Sequence, residues 1–240
     1  MEALSTGGVI GRVLELYRQH AAVLLGTALI IFGIDAVASL VFTGSLVILA
    51  ALLSLILGTF YQGMVVELVR DVQDGRRDSS VGALFSSVSP AVLPLIGVSI
   101  LAGLGVGIGL LLLIVPGLFL LTIWSVVAPV TVLERPGVLA AFGRSRELVR
   151  GHGWTVFGVI AIVFLLLIAV SIVAVAVAAA AGDEGGGVAG WLLNAISQPV
   201  AALTASVLYF SLVGQAGGRA VEAGQAPAAY GGFAPPAAER

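Results

Sequence analysis

Residues 114–152 read IVPGLFLLTIWSVVAPVTVLERPGVLAAFGRSRELVRGH. The stretch begins in an apolar run, meets Pro116-Gly117, and runs apolar again to Leu133. It turns polar at Glu134-Arg135-Pro136 and ends in a segment carrying Arg144, Arg146 and Arg150. A chain that leaves a hydrocarbon layer, lies along its surface and dives back has this pattern. The same plan recurs on both sides of the stretch.

Composition agrees. The chain is 59% hydrophobic and 10% charged, whereas a soluble domain carries about 25% charged residues. Too few charges are present to cover a water-facing surface of ordinary size. Six apolar runs reach spanning length, for which about 20 residues cross a hydrocarbon core of roughly 30 Å. They cover residues 21–42, 45–66, 91–114, 117–133, 155–181 and 188–213. The fourth is short, with Pro129 near its exit, and Pro199 interrupts the sixth. Three amphipathic segments lie between them, at 9–20, 80–89 and 137–151. In the first, Val9, Val13, Leu16 and His20 share one face opposite Arg12, Glu15 and Arg18, as in helices that lie in an interface plane. Residues 182–187, with Asp183 and Glu184, read as an exposed loop.

The expected fold is therefore all-α: a polytopic integral membrane protein with six transmembrane helices and three interfacial amphipathic helices over residues 1–216. Residues 217–240, rich in Gly, Ala and Pro, are expected to form a disordered cytoplasmic tail. Cysteine is absent, so disulfides and thiolate metal sites are ruled out. No cofactor, metal or nucleic-acid partner is expected.

The arginines set the sidedness. There is no lysine; Arg12 and Arg18 precede the first span, and Arg70, Arg76 and Arg77 follow the second. Arg135, Arg144, Arg146 and Arg150 follow the fourth, and Arg219 and Arg240 follow the sixth. The connections at Thr43-Gly44, Val115-Pro116 and 182–187 carry none. With six spans this places both termini in the cytoplasm. A cleavable signal peptide fits poorly, because Glu2 and Glu15 stand where a basic leader is needed.

An internal repeat is visible. GRVLELYRQHAAVLLG (11–26) and GRSRELVRGHGWTVFG (143–158) share seven of sixteen positions, including both histidines of the chain. GALFSSVSPAVLPLIG (82–97) fits the same frame by its apolar pattern and end glycines. The unit is a surface helix followed by a two-span hairpin, at 9–71, 80–133 and 137–213, all in parallel orientation.

Several residues stand out as candidate sites. Asp35 is the one acid deep inside a span; such carboxylates mark ion or substrate sites, or reach an interface where Gly33 loosens the helix. Asn194 and Gln198, one turn apart before Pro199, could line a polar cavity or bond between helices as packing glue. Gly103, Gly105, Gly107 and Gly109 form two small-xxx-small pairs for close helix approach. Arg144, Glu147 and Arg150 step by three along one face, suited to docking anionic lipids or a cytoplasmic protein, or to an exposed ion network. His20 and His152 hold equivalent repeat positions; a metal site would need them brought together with a carboxylate, and they read as interfacial residues rather than ligands.

Residues 112–158 resemble the membrane domain associated with bacterial glycerophosphoryl diester phosphodiesterases and its stand-alone relatives of uncharacterised function. The resemblance is carried by 114–120 (IVPGLFL), Ala128-Pro129-Val130, Leu133-Glu134, 137–141 and 144–151 (RSRELVRG). It implies the membrane fold and a prokaryotic cytoplasmic membrane. In members fused to a catalytic barrel, that barrel needs about 250 further residues, which this chain lacks. The resemblance thus weakens any expectation of hydrolase activity. The leading functional expectation is a non-enzymatic membrane module that organises or recruits lipids or partner proteins. The alternative is a small-solute or lipid transporter, motivated by Asp35, Asn194 and Gln198.

Overall fold

The computed structural model describes residues 5–75 and 81–222, and among them no strand occurs. The helices are α1 (Thr6–Gln19), α2 (Ala21–Val41), α3 (Val47–Gln73), α4 (Val81–Val88) and α5 (Val92–Leu112). They continue with α6 (Ile114–Ile123), α7 (Val127–Leu133), α8 (Val138–Val149) and α9 (Gly153–Glu222). Six stretches are long and apolar enough to cross a membrane: Ala21–Val41, Val47–Gln73, Ser86–Leu112, Ile114–Leu133, Gly153–Val173 and Gly190–Gly217. The protein is an all-α polytopic membrane protein.

Each surface segment joins its span by a local break. Ser5 caps α1, its hydroxyl accepting the Gly8 N–H at 3.1 Å. His20 ends α1, and its carbonyl accepts the first bond of α2, from Leu24 N–H at 2.9 Å. His152 does the same between α8 and α9, accepting from Val156 N–H at 3.0 Å. Helix α4 behaves differently: a 3₁₀ turn at Ser89–Ala91, holding Pro90, leads from it straight into α5. Of its apolar residues at helical spacing, Val88 is fully buried, and the side chains of Val81, Leu84 and Phe85 lie outside the described set.

The apolar faces of the surface helices are turned inward. Val9, Val13 and Leu16 of α1 are buried, as the pattern predicts, and α1 packs chiefly along α9. Its Tyr17 hydroxyl donates to the Ile196 carbonyl at 3.4 Å, one turn before Pro199. Helix α8 buries Ala141, Ser145, Leu148 and Val149 against α7 and α9. The protein's own spans, rather than lipid, cover these faces.

Three expectations need correction. First, the fourth span is two helices. Residues 124–126 interrupt it, although neither proline lies there: Pro116 and Pro129 sit in the first turns of α6 and α7, where the missing N–H costs nothing. The freed carbonyl of Ile123 accepts the hydroxyl of buried Ser145 at 2.8 Å. The reversal expected at Val115-Pro116 falls instead on the single extended residue Leu113.

Second, the loop expected at 182–187 is helical. The helix assigned to α9 runs over 70 residues, Gly153–Glu222. A straight helix of that length would reach roughly 105 Å. Yet Ile160, Phe164 and Leu167 face one cavity together with Ala201, Ala205 and Leu208. Along a straight axis Phe164 and Ala205 would stand roughly 60 Å apart, so α9 doubles back as a hairpin. The midpoint between these two sets is Glu184, inside the glycine-rich segment. The chain thus reverses between Leu167 and Ala201, an interval that holds the expected loop.

Third, helix α9 continues to Glu222, past the start of the expected tail at residue 217. Residues 223–240 lie outside the described set, as do Arg76 and Arg77.

The glycine pairs of α5 divide. A Cβ at Gly109 would lie 2.9 Å from the Gly117 Cα, and one at Gly105 would lie 2.5 Å from the Trp124 ring. Gly103 and Gly107 have open space. Gly105 and Gly109 therefore allow the close approach of α5 to the fourth span, and the other pair does not. Gly105→Leu is expected to destabilise the protein by about 2 kcal/mol through overpacking, while Gly103→Leu leaves the melting temperature unchanged. A thermal-shift comparison in detergent checks this.

Candidate functional site

Two polar arrangements emerge, one inside the bundle and one at its arginine-bearing end. The first begins at Asp35. Helices α2 and α3 pair across a turn at Gly44–Leu46, where Gly44 takes a φ of +60°. This pairing brings Ser54 of α3 opposite Asp35 of α2, and the Ser54 hydroxyl donates to Asp35 Oδ1 at 2.5 Å. The carboxylate therefore stays within the helix pair rather than reaching the surface alone.

Ser54 is also the first residue of a cleft between α3, α5 and the second arm of α9. The cleft has a volume of about 270 Å³. Its polar lining comprises Ser54, Thr59, Gln62, Ser99 and Gln198, and Gly58 completes its floor. On α3 these positions fall at i, i+4, i+5 and i+8, one face of a helix. Gln198 thus joins the site that holds Asp35 through Ser54, which is how two of the three intramembrane candidates come together. Asn194 lies one turn before Gln198 in α9, and its side chain is outside the described set.

A second cavity, of about 260 Å³, continues from Gln62 and is lined by Ser125, Thr204 and apolar residues of α6 and both arms of α9. Gln62 borders both spaces. Most hydroxyls in the spans close on their own helix: Thr27, Thr59, Thr122, Thr131, Thr204 and Ser206 each donate to a carbonyl one turn back at 2.6–2.8 Å. Ser125 Oγ is buried without a hydrogen-bond partner.

Sequence reasoning missed Ser54, Gln62, Ser99 and Ser125. A signal was present: Ser54, Gly58 and Gln62 recur every four residues through an otherwise apolar helix. Gln62 lies close to the charged residues Glu67 and Arg70, and so reads as the start of the polar end of the helix.

The second arrangement is built on α8. Arg144 Nε donates to Glu134 at 2.8 Å, with the two side chains 18% and 13% exposed. Tyr209 of α9 donates to the other Glu134 oxygen at 3.0 Å. Arg144 also reaches Glu147 at 3.5 Å. Arg144 is therefore an internal brace tying α7, α8 and α9 together. Glu147 and Arg150 remain exposed at the surface, and Trp154, just beyond them, is 88% exposed. Arg135 sits at a left-handed φ of +51° and donates to the carbonyls of Val132 and Ser87, joining the turn after α7 to α4.

No family model, curated protein or solved structure matches this chain.

Proposed function

We propose that the bundle binds a small polar solute within the membrane and passes it, in the manner of a permease. The observation that carries this reading is the cleft whose polar lining gathers Ser54, Thr59, Gln62, Ser99 and Gln198 from three separate spans. Polar groups facing hydrocarbon without partners cost several kcal/mol each. Ser54 and Thr59 are bonded within the protein, so the groups left for water or a solute to satisfy are the Gln62 amide and the Ser99 hydroxyl. No hydrolase activity is part of this proposal.

Gly58 supplies the test. A Cβ there would meet nothing within 4 Å and Gly58 lines the cleft, so Gly58→Leu puts its side chain into that space. In liposomes containing the purified protein, Gly58→Leu is expected to lower solute-driven swelling about tenfold while the melting temperature holds or rises. Unchanged swelling would sink the reading.

A membrane module that recruits anionic lipids or a cytoplasmic protein is a second reading, favoured by the exposed Glu147 and Arg150 beside Trp154. Because Arg144 is committed to Glu134, the informative substitutions are Arg146→Gln with Arg150→Gln. Their expected effect is reduced flotation with anionic vesicle lipids, with the fold intact.

We also infer a prokaryotic cytoplasmic membrane with both termini in the cytoplasm. The arginine distribution and the resemblance of residues 112–158 to the phosphodiesterase-associated membrane module support this. The chain has no native cysteine, so single-cysteine variants label cleanly. Asp183→Cys and Arg146→Cys are expected to react from opposite sides.

A further inference from the structure

We propose that Gln62 is the selectivity-determining residue of this cleft, and that the solute it admits is small, uncharged, and both a donor and an acceptor of hydrogen bonds. The proposal rests on the permeation reading above and specifies it. Three observations lead to it.

The first is position. Gln62 is shared by the two cavities, so a solute moving between them passes its amide. Ser54 lies roughly 12 Å further along α3, and the charged pair Glu67–Arg70 begins roughly 8 Å the other way. Gln62 therefore stands between the level of Asp35 and the polar end of α3, at the border of both cavities.

The second is unused hydrogen-bonding capacity. Ser125 Oγ is buried without a hydrogen-bond partner, and the half-buried Gln62 and Ser99 line the same spaces. Other span hydroxyls nearby are satisfied by their own helices. A primary amide offers two donors and a carbonyl acceptor, and each hydroxyl adds both capacities. The occupant that completes these bonds must itself donate and accept.

The third is charge. Among the residues lining either cavity none is charged. Asp35 does not line them, and its Oδ1 is held by Ser54. A bare anion moved into such surroundings meets no cation to offset its desolvation, and a cation meets Asp35 only across the Ser54 hydroxyl that already holds it. Volume sets the size: at about 30 Å³ per water, 270 Å³ holds a short water file or one molecule the size of glycerol or urea.

The test uses full-length protein in liposomes, with stopped-flow light scattering for glycerol and urea and a dye assay for potassium and formate. Wild type is expected to pass glycerol and urea above protein-free vesicles and to pass neither ion. Gln62→Met keeps the side-chain length and removes the amide; it is expected to cut the neutral flux about tenfold, with Gln62→Asn restoring part of it. Ser99→Ala, the gentler change, is expected to cut it two- to threefold. Full neutral flux in folded Gln62→Met and Ser99→Ala would overturn the role of these residues while leaving permeation standing. Passage of potassium or formate would overturn the uncharged class. No flux of any solute would remove the permeation reading itself.

Discussion

Arg144→Ala is expected to lower stability by about 3 kcal/mol, because it leaves the Glu134 carboxylate in a largely buried position without its cation. In the native fold Glu134 is held by Arg144 Nε at 2.8 Å and by the Tyr209 hydroxyl at 3.0 Å. One residue on the turn after α7 thereby fixes a surface helix and the final arm of α9. Removing Arg144 loosens both contacts, whereas Tyr209→Phe removes one neutral donor and is expected to cost about 1 kcal/mol. Replacing Glu134 and Arg144 together with leucine is expected to be milder than Arg144→Ala, since no stranded charge remains. Thermal unfolding in detergent across this cycle gives the coupling. If Arg144→Ala melts with wild type, the brace is not structural and Arg144 returns to the set of surface-docking residues.

Gly117→Val is expected to cost at least as much, about 3 kcal/mol, and by a different route. A Cβ on Gly117 would meet the backbone N of Leu110 at 2.6 Å, and the facing Gly109 leaves no slack, since its own Cβ would meet the Gly117 N at 3.1 Å. Backbone against backbone cannot be relieved by a rotamer change. Helices α5 and α6 would have to part, taking with them the Trp124 ring that lies over Gly105. The expected signs are lower expression, a lower melting temperature and loss of monodispersity in gel filtration. Gly107→Val, one turn away and facing open space, is the control and is expected to be silent.

These two sites show how far the sequence could be read. Spans were legible because twenty apolar residues in a row admit few structures besides a membrane helix. The Ser54–Asp35 contact was not, since it depends on the register of α2 against α3, which the connection at 42–46 sets and composition does not. Likewise the Trp124–Val126 break carries no Pro or Gly. It exists because Ser145, distant in sequence, supplies the hydroxyl that satisfies the opened turn. The prolines that drew attention, Pro116 and Pro129, are harmless helix starters. The arginine cluster was visible as a cluster, but not its division into a buried brace at Arg144 and exposed ends at Glu147 and Arg150. Gln198 was found as an amide in an apolar run, whereas Gln62, the same side chain, was hidden by the charges that follow it.

The reversals opposite the arginine-bearing end are very short: a turn at Gly44–Leu46, the single residue Leu113, and a bend within α9. So little chain projects there that a protease or antibody arriving from that direction has almost nothing to hold.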